Sequence, residues 1–217
     1  LRLRKGVGEY VPVRVFLETD RLVLRRFTEE DVDNIVELDG DPEVMRYLTG
    51  GRPTPRETVR DVIIPQWLAY YERYEGFGFW AAIEKATGEF IGWFHFRPPP
   101  AGRAPEGITR DGIELGYRLR RSAWSKGYAP EGSRALIRKG FTELGVERVY
   151  AQTMTVNTGS RRVMEKAGLR YLRTFRQNWP EPIPGDEHGE VEYALTKAEW
   201  EAAELPGGPS APGLAGN

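Results

Sequence analysis

The order of apolar and polar positions divides the chain into short strands and amphipathic helices. RLVLRRF (Arg21 to Phe27) alternates as a half-buried strand does, and TEED at Thr28 to Asp31 follows it as a capping-box-like helix start. The helix opened there carries Val32, Ile35 and Val36 on one face. Asp41-Pro42 sets an N-cap before a proline at the first helical position, and Thr54-Pro55-Arg56-Glu57 repeats that signal with a fuller capping box. The helix begun by the second signal is expected to bend or end near Pro65, which lacks a backbone donor.

Further on, Phe79 to Glu84 and Phe90 to Phe96, joined by KATGE, predict an antiparallel hairpin. The loop PPPAGRAPEG interrupts the pattern before IELGYRL (Ile113 to Leu119) alternates again, followed by a turn, a helix and the strand VERVYAQTMTV (Val146 to Val156). Strand, turn, helix and strand form a crossover unit that places a helix N-terminus beside the C-terminal end of a strand. A short helix from Thr158 to Ala167 stops at Gly168, and RYLRTFRQNW and EVEYAL supply two last strands. The first sixteen residues show no helical period, and the stretch from Leu205 is mostly Gly, Pro, Ala and Ser. Both read as tails, so the expected organisation is an N-terminal extension over 1–16, one domain over 17–204 and a tail over 205–217. The order of elements is mixed α/β with hairpins at both ends, without the strict alternation of a doubly wound sheet.

Composition narrows the chemistry. With 217 residues, 40% hydrophobic and 29% charged, the chain is long enough for a single core, and a formal net charge of -1 offers no basic field for nucleic acid or an anionic membrane. It contains no cysteine, which removes disulfides, thiolate metal sites and a cysteine nucleophile together. No apolar run is long enough for a signal sequence or a membrane span, so a cytoplasmic protein is expected.

The most informative stretch is WSKGYAPEGSRALIRKGF, from Trp124 to Phe141. Leu136, Ile137, Gly140, Phe141 and Leu144 share a helix face, and Gly145 is a natural stop. The unpaired amides and positive dipole end of this helix would receive an anion at Lys126, Gly127, Tyr128 and Ala129. Pro130 donates nothing but fixes φ for the first turn. The alternative is a plain strand-to-helix turn with an incidental glycine. No GxxxxGK[ST] is present, and neither GVGEY nor GFGF stands between a strand and a helix at dinucleotide-binding spacing.

Thirty residues on, NTGSRRVMEKAGL (Asn157 to Leu169) ends a strand in Asn and places Ser160 in the first turn of a helix. Singly, Asn157 and Ser160 read as caps. Together with the glycine turn they resemble the acyl-CoA-binding core of the GNAT N-acetyltransferase superfamily. The likeness is to the branch that includes the ribosomal-protein N-terminal acetyltransferases, where W-G-K-G-Y-A-x-E precedes N-x-x-S-x-x-V-x-E-K-x-G-F. It spans roughly Leu17 to Trp200 and includes ETDRLVLRRFTEEDVD.

The resemblance implies a central, mostly antiparallel twisted sheet of about seven strands flanked by helices, with acetyl-CoA as cosubstrate and no metal. It implies that the pyrophosphate of coenzyme A rests on the amides of Lys126, Gly127, Tyr128 and Ala129, and that Leu119 and its neighbours pair with the pantetheine arm. Asn157 would contact the cofactor, and Ser160 would stand near the thioester sulfur, where its hydroxyl would stabilise or protonate the departing thiolate. Two positions depart from the superfamily: Trp124 replaces an Arg or Gln, and Met164 stands where many relatives carry a tyrosine acid. A thioether gives up no proton, which leaves Ser160 as the acid.

Without cysteine no thioester can form on the enzyme, so direct attack of an amine in a ternary complex is the simplest route. An α-amine of pKa about 8 is appreciably neutral at pH 7, whereas a lysine amine is neutral in on the order of one molecule per thousand and needs a base. Glu114 is the candidate base, directly or through water, with Glu192 second; the alternative for Glu114 is an outward-facing strand carboxylate. Strict alternation sets Glu114 opposite Ile113 and Leu115, and a bulge in this strand would re-aim it.

Trp80, Trp93, His95, Phe96, Trp179 and Tyr193 are candidates to line an acceptor pocket, with core packing the expected role of most. His95 is a further candidate base. DEHGEVE around His188 lacks the second histidine or cysteine of a metal site and reads as a solvated loop. Three functions stay open: an acetyltransferase for a protein N-terminus or small amine, an aminoglycoside-type antibiotic acetyltransferase, and a non-catalytic acyl-CoA-binding regulatory module. The expected partner is an amine acceptor, with no nucleic acid or membrane, and the protein is a monomer or a homodimer.

Overall fold

The computed structural model describes residues 2–5, 9–12, 14–99, 112–177, 179 and 181–205. Most of the proline-rich loop, residues 100–111, and the tail from 206 lie outside the described residues. The backbone of β1 (Arg2–Lys5) pairs antiparallel with β2 (Glu9–Pro12) in a small sheet of its own. The main sheet holds β3 (Val15–Glu18), β4 (Leu22–Arg26), β5 (Gly78–Glu84), β6 (Phe90–Arg97), β7 (Gly112–Leu119), β8 (Arg148–Met154), β9 (Arg170–Phe175) and β10 (Glu190–Thr196). Its eight strands run in the order β3-β4-β5-β6-β7-β8-β10-β9, and only β7 and β8 are parallel.

Each sheet face is covered. On one side α5 (Tyr128–Glu143) and α6 (Thr158–Lys166) bury Leu136, Ile137, Phe141 and Met164 against Phe94, Phe96, Leu115 and Val149. Gly132 lets α5 lie close, because a Cβ there would stand 2.4 Å from the Phe94 ring. On the other side α1 (Val32–Gly40), α2 (Pro42–Thr49), α3 (Arg56–Thr58) and α4 (Ile64–Arg73) cover Val23, Phe79, Ile83 and Trp93. β4 and β5 are therefore buried along almost their whole length; β5 reads as an apolar run, whereas β4, expected to be half-buried from its alternation, is buried through Arg25. After β10 comes α7 (Lys197–Glu204), whose capping box joins Thr196 to Glu199.

Local signals set most boundaries. Thr28 and Asp31 form the expected capping box, and Asp31 also makes a bidentate, fully buried pair with Arg25 at 2.7 Å for both bonds. Asp41 caps α2 by accepting the Glu43 N–H. One expectation needs correction. Thr54 does not cap α3: its hydroxyl donates to the buried Asp39, and the helix begins after Pro55. Of the two outcomes expected at Pro65, a bend or an end, the helix does not end. A π-helical turn over Val59–Ile63, closed by the Ile64 N–H on the Val59 carbonyl, absorbs the missing donor and lets α4 continue.

Candidate active site

The chain from β7 into α5 passes through a short 3-10 turn and reaches Gly127, whose φ of 83° is left-handed. Tyr128 and Ala129 open α5 ahead of its first intrahelical bond, from the Glu131 N–H to the Gly127 carbonyl at 3.1 Å. Their amides therefore point out of the helix end, with the positive end of the dipole behind them. Arg21 braces this turn from 105 residues away by donating to the Lys126 carbonyl at 2.9 Å. The same guanidinium bonds Glu131 at 2.7 Å and lies 4.5 Å above the Tyr128 ring, and the Tyr128 hydroxyl donates to Glu84. Sequence reasoning missed this brace, which joins residues too distant to share a local signal.

A gap opens beside the turn. β7 and β8 pair only at Gly112↔Arg148, Ile113↔Val149 and Glu114↔Tyr150, and beyond these positions the parallel strands part. The Arg120 N–H bonds Ile91 at 2.8 Å, so alternation directs the backbone groups of Leu115, Tyr117 and Leu119 away from β6, into the gap. The Leu119 carbonyl is engaged by the Trp124 indole at 2.8 Å. Across the gap, Asn157 caps α6 by accepting the Ser160 N–H at 3.1 Å while its own amide donates to Thr153 at 3.1 Å. The Ser160 Oγ lies 3.0 Å from the hydroxyl of Tyr117, a residue the strand pattern marks only as facing inward. Met164 is buried in the core beneath α6.

Even-numbered β7 residues face the opposite way. Trp93 stands across from Arg118, His95 from Gly116 and Arg97 from Glu114, with no break in register between β6 and β7. No bulge re-aims Glu114, so strict alternation holds and already carries it to this face. Its carboxylate is not turned out to solvent: Arg97 lies at 2.9 Å and the His95 Nε2 at 3.7 Å. The His95 ring occupies the space left by Gly116, where a Cβ would come within 2.4 Å of it. Burial, then the charges of Arg97 and Arg118, hold the imidazole well below its usual range and therefore neutral at pH 7. Arg118 lies 5.0 Å over the Trp93 ring and pairs with the buried Asp39. Among the described residues, the buried Trp93 Nε1, His95 Nε2, Arg97 Nε and Arg118 Nε have no hydrogen-bond partner.

Glu192 is on this face but fully buried, bonded to Gln152 at 2.9 Å and Arg173 at 3.1 Å. Trp80, Phe96 and Tyr193 are not brought here. Trp80 and Phe96 belong to the core under α5, Trp80 stacked on Phe16 at 3.7 Å, and the Tyr193 hydroxyl donates to Glu165 on α6 at 3.0 Å. Trp179 is exposed and its indole donates to Glu190 at 3.3 Å. Among the described residues, no group of three or more His, Asp or Glu could hold a metal, and no helix is long and apolar enough to cross a membrane.

A family profile described as an Acetyltransferase (GNAT) domain matches residues 21–170. This chain belongs to the GNAT acetyltransferase family. An FsC-acetyl coenzyme A-N(2)-transacetylase of Aspergillus fumigatus is 39% identical over 85% of this chain and 77% of its own. Among solved structures, a GNAT-family acetyltransferase from Bacillus anthracis is 25% identical with a TM-score of 0.64, covering 84% of this chain and 98% of its own. A ribosomal L7/L12 alpha-N-protein acetyltransferase in complex with coenzyme A shares the fold at 18% identity, with a TM-score of 0.69 over 84% of this chain and 98% of its own.

The protein is thus an acetyl-CoA-dependent GNAT acetyltransferase, and its own residues fit the cosubstrate. The Gly127 turn offers outward amides to a pyrophosphate, and the gap between β7 and β8 offers unpaired strand backbone to an extended amide-bearing arm. The geometry of the glycine turn is compatible with an anion cradle as well as with a boundary between strand and helix.

Proposed function

We propose that this GNAT acetyltransferase acetylates a primary α-amine on a small molecule, by direct attack on acetyl-CoA in a ternary complex. The observation that carries this reading is the division of β7. Its even positions set Glu114, Gly116 and Arg118 toward the acceptor, and its odd positions line the gap that takes the pantetheine arm. Glu114 accepts the proton that the attacking nitrogen sheds, with Arg97 holding the carboxylate in place. Ser160 hydrogen-bonds the sulfur as the carbon–sulfur bond breaks. Lys126, Gly127, Tyr128 and Ala129 bind the pyrophosphate, Leu119 lies along the arm, and Asn157 fixes the helix end that presents Ser160.

Two features support an α-amine close to oxygen atoms. The guanidinium groups of Arg97 and Arg118, 20% and 19% exposed on this face, offer donors to oxygen atoms on whatever occupies it. Among the described residues three of its acids pair with arginines: Glu114 with Arg97, and the buried Asp39 and Glu192 with Arg118 and Arg173. Acids paired in this way supply no excess negative charge for a polycationic antibiotic. The likeness to a transacetylase named for an N(2) position agrees with an α-amino nitrogen.

The test is calorimetric titration with acetyl-CoA and CoA, followed by free-thiol release across α-amino acid amides, peptide N-termini, lysine side-chain amines and aminoglycosides. Release is expected with α-amino acid amides first. Faster turnover of peptides reassigns the acceptor to a protein N-terminus, aminoglycoside turnover overturns the charge argument, and binding without release across the panel leaves a regulatory acyl-CoA-binding module.

A further inference from the structure

Tyr117 has more hydrogen-bond partners than protons. Its hydroxyl oxygen lies 2.9 Å from the Ser160 carbonyl oxygen and 3.0 Å from the Ser160 Oγ, and a phenol has a single proton to give. In one arrangement Tyr117 donates to the Ser160 carbonyl and the Ser160 hydroxyl donates back to the phenol oxygen, so both protons stay within the pair. In the other, Tyr117 donates to the Ser160 Oγ, and the Ser160 proton is free to point outward.

We propose that Tyr117 is a positioning residue that switches between these arrangements and aims the Ser160 hydroxyl at the sulfur as the thiolate departs. This inference rests on the proposed placement of Ser160 beside the thioester sulfur. Both oxygens are held where the switch needs them: Tyr117 projects from β7 at the gap, and Ser160 is fixed in the first turn of α6 by the Asn157 cap. The exchange needs only rotation about two C–O bonds. A chain in which the phenol donates to the serine and the serine donates to sulfur is polarised in one direction, which strengthens its last bond as negative charge grows on sulfur.

No proton leaves either oxygen in this scheme. Burial pushes the Tyr117 phenol well above its ordinary range, against a smaller opposing effect of its bond to Ser160, so the tyrosinate is not formed. The bonds balance without it: nitrogen–carbon forms, carbon–sulfur breaks with its electron pair left on sulfur, and the nitrogen's proton passes to Glu114. The pair stabilises the thiolate by hydrogen bonding, and sulfur takes its final proton from solvent. Ser160 therefore acts as a hydrogen-bond donor backed by Tyr117 rather than as a free-standing acid.

The experiment follows the ultraviolet absorbance of the thiolate of CoA bound to wild type, Tyr117→Phe, Ser160→Ala and the double variant as pH is raised, beside steady-state kinetics with acetyl-CoA. Losing a hydrogen bond to a charged group changes an equilibrium by about tenfold or more. The expected result is a bound thiol about one pH unit harder to ionise in Ser160→Ala, with a smaller shift in the same direction in Tyr117→Phe, whose lost bond is between neutral hydroxyls. The kinetic counterpart is a kcat lower by about tenfold in Ser160→Ala and by less in Tyr117→Phe, KM for acetyl-CoA unchanged in both, and a double variant no worse than Ser160→Ala. A purely structural Tyr117 would instead lower thermal stability and raise KM while leaving the thiol's ionisation where it was, and that outcome overturns the switch. Independent multiplication of the two single effects overturns it as well. If Ser160→Ala alters neither ionisation nor kcat although CoA binds, the underlying placement of Ser160 fails and the switch fails with it.

Discussion

Replacing Gly127 with alanine separates the two roles of the glycine turn. At φ 83° an alanine is strained by about 1–2 kcal/mol, the ordinary penalty for an L-residue in the left-handed region. In a protein of this length that lowers the melting temperature by about 2–8 °C. The new Cβ would lie 3.3 Å from the Arg21 Nη2, so the guanidinium that holds the Lys126 carbonyl must move by a few tenths of an ångström. If this misaligns one amide donor to the pyrophosphate, a charge-assisted bond worth about 1.5–3 kcal/mol is lost, and CoA binding weakens about 10- to 100-fold. Gly145 supplies the control. Its φ is 68° and a Cβ there meets nothing within 4 Å, so Gly145→Ala carries the same backbone strain at the far end of α5. Thermal melts and calorimetric titration with CoA on both variants should show similar losses of stability, with weakened binding in Gly127→Ala alone. Equal CoA affinities in the two would refute the cradle and leave the turn as a boundary only.

Asp31→Asn should destabilise the protein by about 3–5 kcal/mol in urea unfolding, because it leaves the buried Arg25 charge without its carboxylate. Burial alone would raise the Asp31 pKa, but the bonds from Arg25, the Thr28 N–H and Asn34 outweigh it and hold the carboxyl below its ordinary range. The pair's contribution is therefore complete above the ordinary carboxylate pKa and is lost as pH falls through the depressed one, and the gap between wild type and variant should narrow in acid. Gly132→Ala gains helix propensity yet should lose about 1–3 kcal/mol net in thermal melts, because its Cβ would meet the Phe94 ring at 2.4 Å; a stabilised variant would mean that α5 lies further from the sheet. Glu114→Gln should lower kcat at neutral pH by about 10²- to 10⁴-fold with an α-amine acceptor, the deficit shrinking as pH passes the acceptor's pKa, and a pH–rate profile parallel to wild type would remove Glu114 as the base.

Local signals in the sequence carried most of the elements. The capping box at Thr28, the Asp41-Pro42 helix start and the alternation of β7 depend on neighbours a few residues apart, and each formed as expected. The four-residue β3 is too short to show a period, and its place beside β4 comes partly from Phe16 stacking on Trp80, a residue far along the chain. The box from Thr196 to Glu199 that starts α7 was legible by the same rule and overlooked. The candidate site was legible in part. Alternation shows that Trp80 and Trp93 lie on opposite faces of a strand pair, but with both faces of the sheet apolar it does not show which face receives a substrate. Arg21 and Tyr117 had no signal at all: an arginine at a strand start and a tyrosine in an alternating strand have ordinary readings. Their roles come from partners 105 and 43 residues away.

The division of β7 also accounts for the stiffness of its surroundings. Moving the strand by one residue would exchange Glu114, Gly116 and Arg118 with Leu115, Tyr117 and Leu119, burying charges under α5 and removing both proposed catalytic faces at once. The register is held from both sides. On the even-numbered face, α1 and the residue after it place Glu37, Asp39 and Asp41 against Arg120, Arg118 and Arg121, so three ion pairs tie this helix to the end of β7 and to the 3-10 turn that follows it. Toward β6, a Cβ at Gly92 would stand 2.2 Å from the Arg118 carbonyl, so the two strands approach where only glycine is accommodated. Asp39 is the buried member of the ladder and receives the Thr54 hydroxyl as well, which links the segment before α3 to the same strand. If the acceptor binds where proposed, a shift of α1 on binding would pull on Arg118 and Arg120, which pair with Asp39 and Glu37. On the proposed function, acceptor and cosubstrate would be coupled through a single strand, the acceptor on its even-numbered face and the pantetheine arm along its open edge in a ternary complex.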